Sequence, residues 1–250
     1  MYLVWMIYFF VFGCVLGSFF NVVGLRVPKN ILFSHNRSYC PACKKQLQWY
    51  ELIPIASYLF QHGQCRNCQT RISPIYPVIE LSTGLLFVLA YWKVGFTFEL
   101  IATLLFISLL MIVFVTDITY MLIPNKILLF FLPLFAFMRI ISPLDPWYDA
   151  LIGAGLGFVL LASIIILSKG GMGGGDMKLF AVLGIVLGWK GTLLTLFLAS
   201  FLGAIFGLFL ISINKVNRKQ PIPFGPYIVV AALISYFYGD QVISMYLSLF

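Results

Sequence analysis

Charge is what this sequence has least of. Charged residues make up 10% of it and hydrophobic residues 62%, with a mean hydropathy of +1.02, whereas soluble domains carry about 25% charge. That composition excludes a soluble domain and indicates a multispanning membrane protein. Histidines number two and carboxylates eight, so every acidic group can be weighed separately. The net charge of +8 is explained by membrane topology, and no nucleic-acid partner is expected. The first apolar run lacks the basic start and small-residue cleavage site of a signal peptide, so it is expected to stay attached. A glycine-rich nucleotide fold of the Rossmann kind is also missing.

What is present begins with apolar runs. The first covers residues 1–23 with no charge and one amide, Asn21, and at about 1.5 Å per residue it crosses a hydrocarbon core of about 30 Å. Further runs cover 75–92, 100–116, 127–142, 150–168, 177–189, 192–213 and 226–249. The expectation is an all-α polytopic membrane protein of about eight transmembrane helices, with 177–189 the shortest for a full span. Its expected parts are a first helix over 1–25, a small polar domain over 26–74 and a seven-helix membrane domain over 75–250.

If the helices alternate across the membrane, one set of loops holds all the Lys and Arg residues except Lys93, Arg139 and Lys190. The positive-inside rule puts the rich set in the cytoplasm and the N-terminus outside.

The polar domain contains Cys40-Pro41-Ala42-Cys43 and Cys65-Arg66-Asn67-Cys68. Two Cys-x2-Cys pairs at this separation have the pattern of a four-thiolate zinc site with two knuckles, closed and structural. A domain this small has little core of its own, so a metal staple is physically reasonable. Two disulfides are the rival reading, which the reducing compartment disfavours. Cys14, in the first apolar run, is read as a packing residue, and His35 and His62 as surface or capping histidines.

The stretch from Lys169 to Lys178 has five glycines in the six positions 170–175 and then Asp176. So many glycines point to a surface that another backbone approaches closely, and a carboxylate at a membrane edge calls for a partner. Asp117, in Val115-Thr116-Asp117-Ile118-Thr119-Tyr120, is placed by the topology at the same depth on the same face. Two carboxylates a few ångströms apart do not both ionise comfortably, so one keeps a proton while the other activates water. The alternative is that each caps a helix or pairs with Lys126 or Lys178. Glu80 also falls at a cytoplasmic helix end, with a helix-end salt bridge as the simple explanation.

Gly173-Gly174-Gly175-Asp176 fits the Gly-x-Gly-Asp motif of intramembrane aspartic proteases, and nearly the whole chain resembles the type IV prepilin peptidases, most closely the Gram-positive late-competence leader peptidases. The resemblance takes in Gly17-Ser18-Phe19-Phe20-Asn21 with Arg26, both cysteine pairs, Pro77-Val78-Ile79-Glu80-Leu81, Asp117 with Pro124, Gly173 to Leu179, and Pro223-Phe224-Gly225-Pro226. It implies an aspartic endopeptidase of a bacterial cell membrane that removes the short basic leader of prepilins or pseudopilins after a glycine, at the cytoplasmic face. Asp117 and Asp176 match its catalytic pair. Gly173, Gly174, Gly175, Glu80 and Lys178 are the expected substrate contacts, and Cys40, Cys43, Cys65 and Cys68 the zinc ligands. The resemblance further implies methylation of the new N-terminus with S-adenosylmethionine. One departure stands out: the family often has an aspartate after the proline that follows its first catalytic residue, and here Asn125 follows Pro124.

Two other classes compete on the residues alone. A proton- or cation-coupled transporter with a zinc-stabilised gate would use the same carboxylates, but no inverted repeat is evident. A membrane anchor displaying a zinc module leaves the glycines and the carboxylates unexplained.

Overall fold

Backbone in hydrocarbon must satisfy its own hydrogen bonds, so apolar runs of this length become helices. The computed structural model describes residues 1–31, 38–168, 172–213 and 222–248. His35 and the 169–171 part of the glycine stretch lie outside the described residues. The helices are α1 (Tyr2–Arg26), α2 (Ala56–Phe60), α3 (Ile75–Val94), α4 (Phe98–Tyr120), α5 (Asn125–Ile141), α6 (Asp149–Leu167), α7 (Gly174–Ser212) and α8 (Gly225–Leu247), with a 3-10 turn at Trp49–Leu52. Six of them, α1, α3, α4, α6, α7 and α8, are long and apolar enough to cross a membrane. The expected count of about eight spans differs for two local reasons. Helix α5 has only 17 residues, and the separate runs expected at 177–189 and 192–213 form one element of 39 residues, interrupted at Gly188 (φ 66°, ψ −177°).

The chain divides into two units, Met1–Val115 and Thr116–Phe250. In the first, α1 lies against α3. A Cβ on Gly13 would come within 2.8 Å of the Gly84 Cα, so the two backbones touch where neither residue has a side chain. At one end of this pair Phe9 stacks on Tyr91, and Phe96 packs edge-on against Tyr91, each with 5.0 Å between centroids. At the other end Asn21 is buried and donates to the carbonyls of Gly17 (3.2 Å) and Tyr76 (3.3 Å).

In the second unit α7 is the central element, packed by α5, α6 and α8. Gly153 of α6 and Gly184 of α7 meet backbone to backbone. The break at Gly188 frees polar groups on both sides of it, and charged residues meet them. Arg139 of α5 donates to the carbonyls of Ile185 (3.2 Å) and Val186 (2.7 Å). The Asp149 carboxylate, in the first turn of α6, accepts the Trp189 N–H at 3.4 Å. Cation and anion are each matched to the correct helix-end charge.

Candidate active site

Asp117 stands in the last turn of α4, whose C-terminus is closed by Met121 at φ 52°. The chain then passes Pro124 and begins α5 at Asn125. Asp176 stands in the first turn of α7, behind the extended Gly173 that caps it, and its N–H donates to the Gly173 carbonyl at 3.1 Å. Both carboxylates are buried, 5% and 9% exposed, and they lie close enough for their charges to interact. Two neighbouring carboxyl groups that share a proton can serve as a base and an acid together.

The buried N–H of Gly225, first residue of α8, donates to Asp117 Oδ2 at 2.7 Å. No spacing rule points to a donor 108 residues away; the only signal was Pro223-Phe224-Gly225-Pro226 as a motif without a role. The three glycines before Asp176 differ. A Cβ on Gly175 would press on Ile123 at 3.1 Å, whereas one on Gly174 would meet nothing within 4 Å, and Gly173 and Gly174 are exposed. Gly175 is therefore a packing glycine, Gly174 borders open space, and a Cβ on Gly173 would touch Asp176 Oδ2 at 3.5 Å. Lys178 is exposed and donates to Asn125 Oδ1 at 3.1 Å. The neutral amide at the departing position thus serves as the acceptor for this ammonium.

The second constellation lies in the first unit. Sγ atoms of Cys40, Cys43, Cys65 and Cys68 all fall within 4.8 Å of one another, with Cys40–Cys68 at 3.7 Å and Cys43–Cys65 at 4.0 Å. A tetrahedral site with metal–sulfur bonds of about 2.3 Å has sulfur–sulfur edges of about 3.8 Å, so the donor set fits a metal of that kind. All four cysteines are free thiols. The two knuckles repeat each other: Cys40 and Cys65 donate N–H to the carbonyls of Lys45 and Thr70, and accept from Lys44 and Gln69, both at φ 57°. Thr70 hydrogen-bonds Cys68 at 3.2 Å, and its hydroxyl and backbone together bring that thiol down to about 6. Among the described residues no histidine joins the cluster.

Residues 11–94 match the model of the bacterial peptidase A24 N-terminal domain, and residues 104–208 match that of the type IV leader peptidase family. A prepilin leader peptidase/N-methyltransferase of Bacillus subtilis is 48% identical over 96% of this chain and 97% of its own length. The chain belongs to the type IV leader peptidase family. Proteins of the same name from Aeromonas salmonicida and Pseudomonas aeruginosa are 35% and 34% identical over 96% and 94% of the chain, and over 92% and 91% of their own lengths. No solved structure matches.

In this leader peptidase Glu80 is buried, and its Oε2 accepts the Ile55 N–H at 2.7 Å. Ser18 of α1 hydrogen-bonds the same carboxylate. Glu80 therefore ties α1, α3 and the segment leading into α2 together. Ile55 itself is held at φ 61°.

Proposed function

We propose that this protein cleaves the leader from prepilins or pseudopilins with Asp117 and Asp176 as its catalytic pair. The observation that carries the reading is two buried, mutually interacting carboxylates at helix ends within one unit of a type IV leader peptidase. The ionised member takes a proton from water as the oxygen attacks the scissile carbonyl carbon. The protonated member gives its proton to the carbonyl oxygen. Collapse of the tetrahedral gem-diol returns one hydroxyl proton to the now ionised member and breaks the C–N bond, and the amine leaves with the proton the other member took from water, which restores the singly protonated dyad. The Gly225 N–H holds Asp117 in place for these steps.

Exposed Gly173 and Gly174 suit an extended substrate backbone, since no side chain blocks its approach. Lys178 and Glu80 are proposed as substrate contacts by exchange of the internal hydrogen bonds they now make. The substrate's apolar helix stays in the bilayer while its basic leader meets the site at the cytoplasmic face. In this reading the membrane domain has eight spans: α1, α3, α4, α5, α6, the segments of α7 on either side of Gly188, and α8. The N-terminus is outside, in a bacterial cell membrane. We assign zinc to Cys40, Cys43, Cys65 and Cys68, where it supplies cross-linking of the two knuckles.

The reading includes N-methylation of the new terminus, the second activity in the relatives' name. S-adenosylmethionine carries a sulfonium and a ribose diol, which call for a carboxylate beside a cavity. One cavity of about 540 Å³ is lined by Tyr58, His62 and Arg71, and another of about 360 Å³ by Leu129, Phe158 and Lys178; neither has a lining carboxylate. Neither fits the methyl donor, and no methyl-transfer step is assigned to residues. Co-expression with a prepilin tests the peptidase: Asp117→Ala and Asp176→Ala are each expected to leave it unprocessed, and full processing by either overturns the assignment. Mass spectrometry of the product's N-terminus reads the cleavage position and the methyl group together.

A further inference from the structure

The small domain between α1 and α3 leaves three large apolar side chains open to their surroundings. Trp49 is 76% exposed, Leu59 65% and Phe60 79%. These residues flank Ile55, whose N–H is held by Glu80 of α3. Glu80 lies five residues into that candidate membrane span, roughly 8 Å along its axis. A segment tied at that depth runs along the lipid headgroups, where Trp, Leu and Phe side chains are at home.

Beside the same α2 lies the cavity of about 540 Å³, lined by Tyr58, His62, Arg71 and Ser73 together with backbone at Gly63. A guanidinium, an imidazole and two hydroxyls around one groove form a set of donors suited to a phosphate group. Residues 26–74 hold seven Lys and Arg against one carboxylate, Glu51, for a formal +6. Four thiolates around a divalent ion would still leave the domain positive. Glu51 is itself buried and bonded to the Gln48 N–H at 2.8 Å, so the exposed charge is of one sign.

We infer that this domain is a membrane-docking module: Trp49, Leu59 and Phe60 enter the lipid interface while the Tyr58–His62–Arg71 groove takes the headgroup phosphate of an anionic phospholipid. Charge chooses between the available occupants. The inference rests on the peptidase reading at one point only, the basic leader, which this positive face repels and an anionic headgroup does not. Docking fixes the domain's height above the bilayer.

The test uses the full chain in lipid nanodiscs, with Trp5, Trp92, Trp147 and Trp189 replaced by Phe so that Trp49 is the only emitter. Phosphatidylcholine with brominated acyl chains is compared with its unbrominated form, each with and without phosphatidylglycerol. Bromine is expected to quench Trp49 when phosphatidylglycerol is present. Arg71→Glu is expected to abolish that quenching while zinc content stays unchanged, and about 1 M salt, where the Debye length is about 3 Å, to abolish it in the parent. Equal emission in brominated and unbrominated discs would overturn the proposal. So would quenching indifferent to phosphatidylglycerol and to Arg71→Glu, or a Trp49 response to inorganic phosphate or a basic leader peptide instead of the lipid. Because the readout is Trp49 emission and not cleavage, Asp117→Ala leaves it intact, and the two readings fail separately.

Discussion

Replacing Gly225 with alanine tests whether its amide positions Asp117. Gly225 opens α8 in a conformation alanine also adopts, and alanine favours helix over glycine by about 1 kcal/mol, so the helix itself gains. The added Cβ, however, would lie 2.6 Å from Asp117 Oδ2 and 2.7 Å from its Cγ. Restoring ordinary contact needs a shift of roughly 0.8 Å at the carboxylate, from 2.6 to 3.4 Å. That shift stretches the 2.7 Å bond from the Gly225 N–H, and hydrogen bonds to charged groups contribute about 1.5–3 kcal/mol. A displacement near 1 Å at a reacting group costs about 100-fold in rate. The expected outcome is therefore a drop in kcat of about 100-fold, a modest fall in thermal midpoint from the stretched bond, and unchanged zinc content. The assay is cleavage of a purified prepilin in detergent, followed by the mobility shift on a gel. Cleavage by Gly225→Ala at the parent rate would refute the claim that this amide positions a catalytic Asp117.

Further outcomes follow from the other contacts. Cys65→Ser should lose the bound metal, read by atomic absorption, and leave the domain sensitive to trypsin, because three thiolates leave the tetrahedral site open. Arg139→Met strips the Ile185 and Val186 carbonyls of their donors; each such loss costs about 1–3 kcal/mol, so the thermal midpoint should fall, with Arg139→Lys recovering part of it. Asn125→Asp turns the acceptor of Lys178 into a carboxylate at an exposed site, where ion pairs are weak; kcat/KM is expected to change by less than about fivefold.

The helices were legible because hydropathy alone marks them, and the cysteine cluster because metal ligands keep a local spacing. Asp117 and Asp176 could be singled out because the expected topology leaves only Glu80, Asp117 and Asp176 at cytoplasmic helix ends. What escaped sequence reading is long-range and involves backbone. The Gly225 amide that holds Asp117 leaves no pattern, since every residue other than proline has such an amide. The Arg139 and Asp149 contacts at Gly188 were hidden for a similar reason: their partners are backbone atoms exposed only where α7 is interrupted. That interruption, expected as a loop near Lys190, takes a single residue. Gly188 turns the chain through φ 66° without any polar linker, so hydropathy could not locate it. The Glu80 tie was equally hidden, because its partner is the N–H of Ile55, a residue whose side chain gives no hint of it.

The interruption at Gly188 also sets how much bilayer this part of the protein can cover. Residues 174–187 span roughly 21 Å at about 1.5 Å per residue, against a hydrocarbon core of about 30 Å. Arg139, Asp149, Trp189 and Lys190 gather at the far end of that stretch, the residue types that settle at a membrane boundary. In the proposed eight-span reading, where this stretch is a span of its own, lipid beside it thins to meet it.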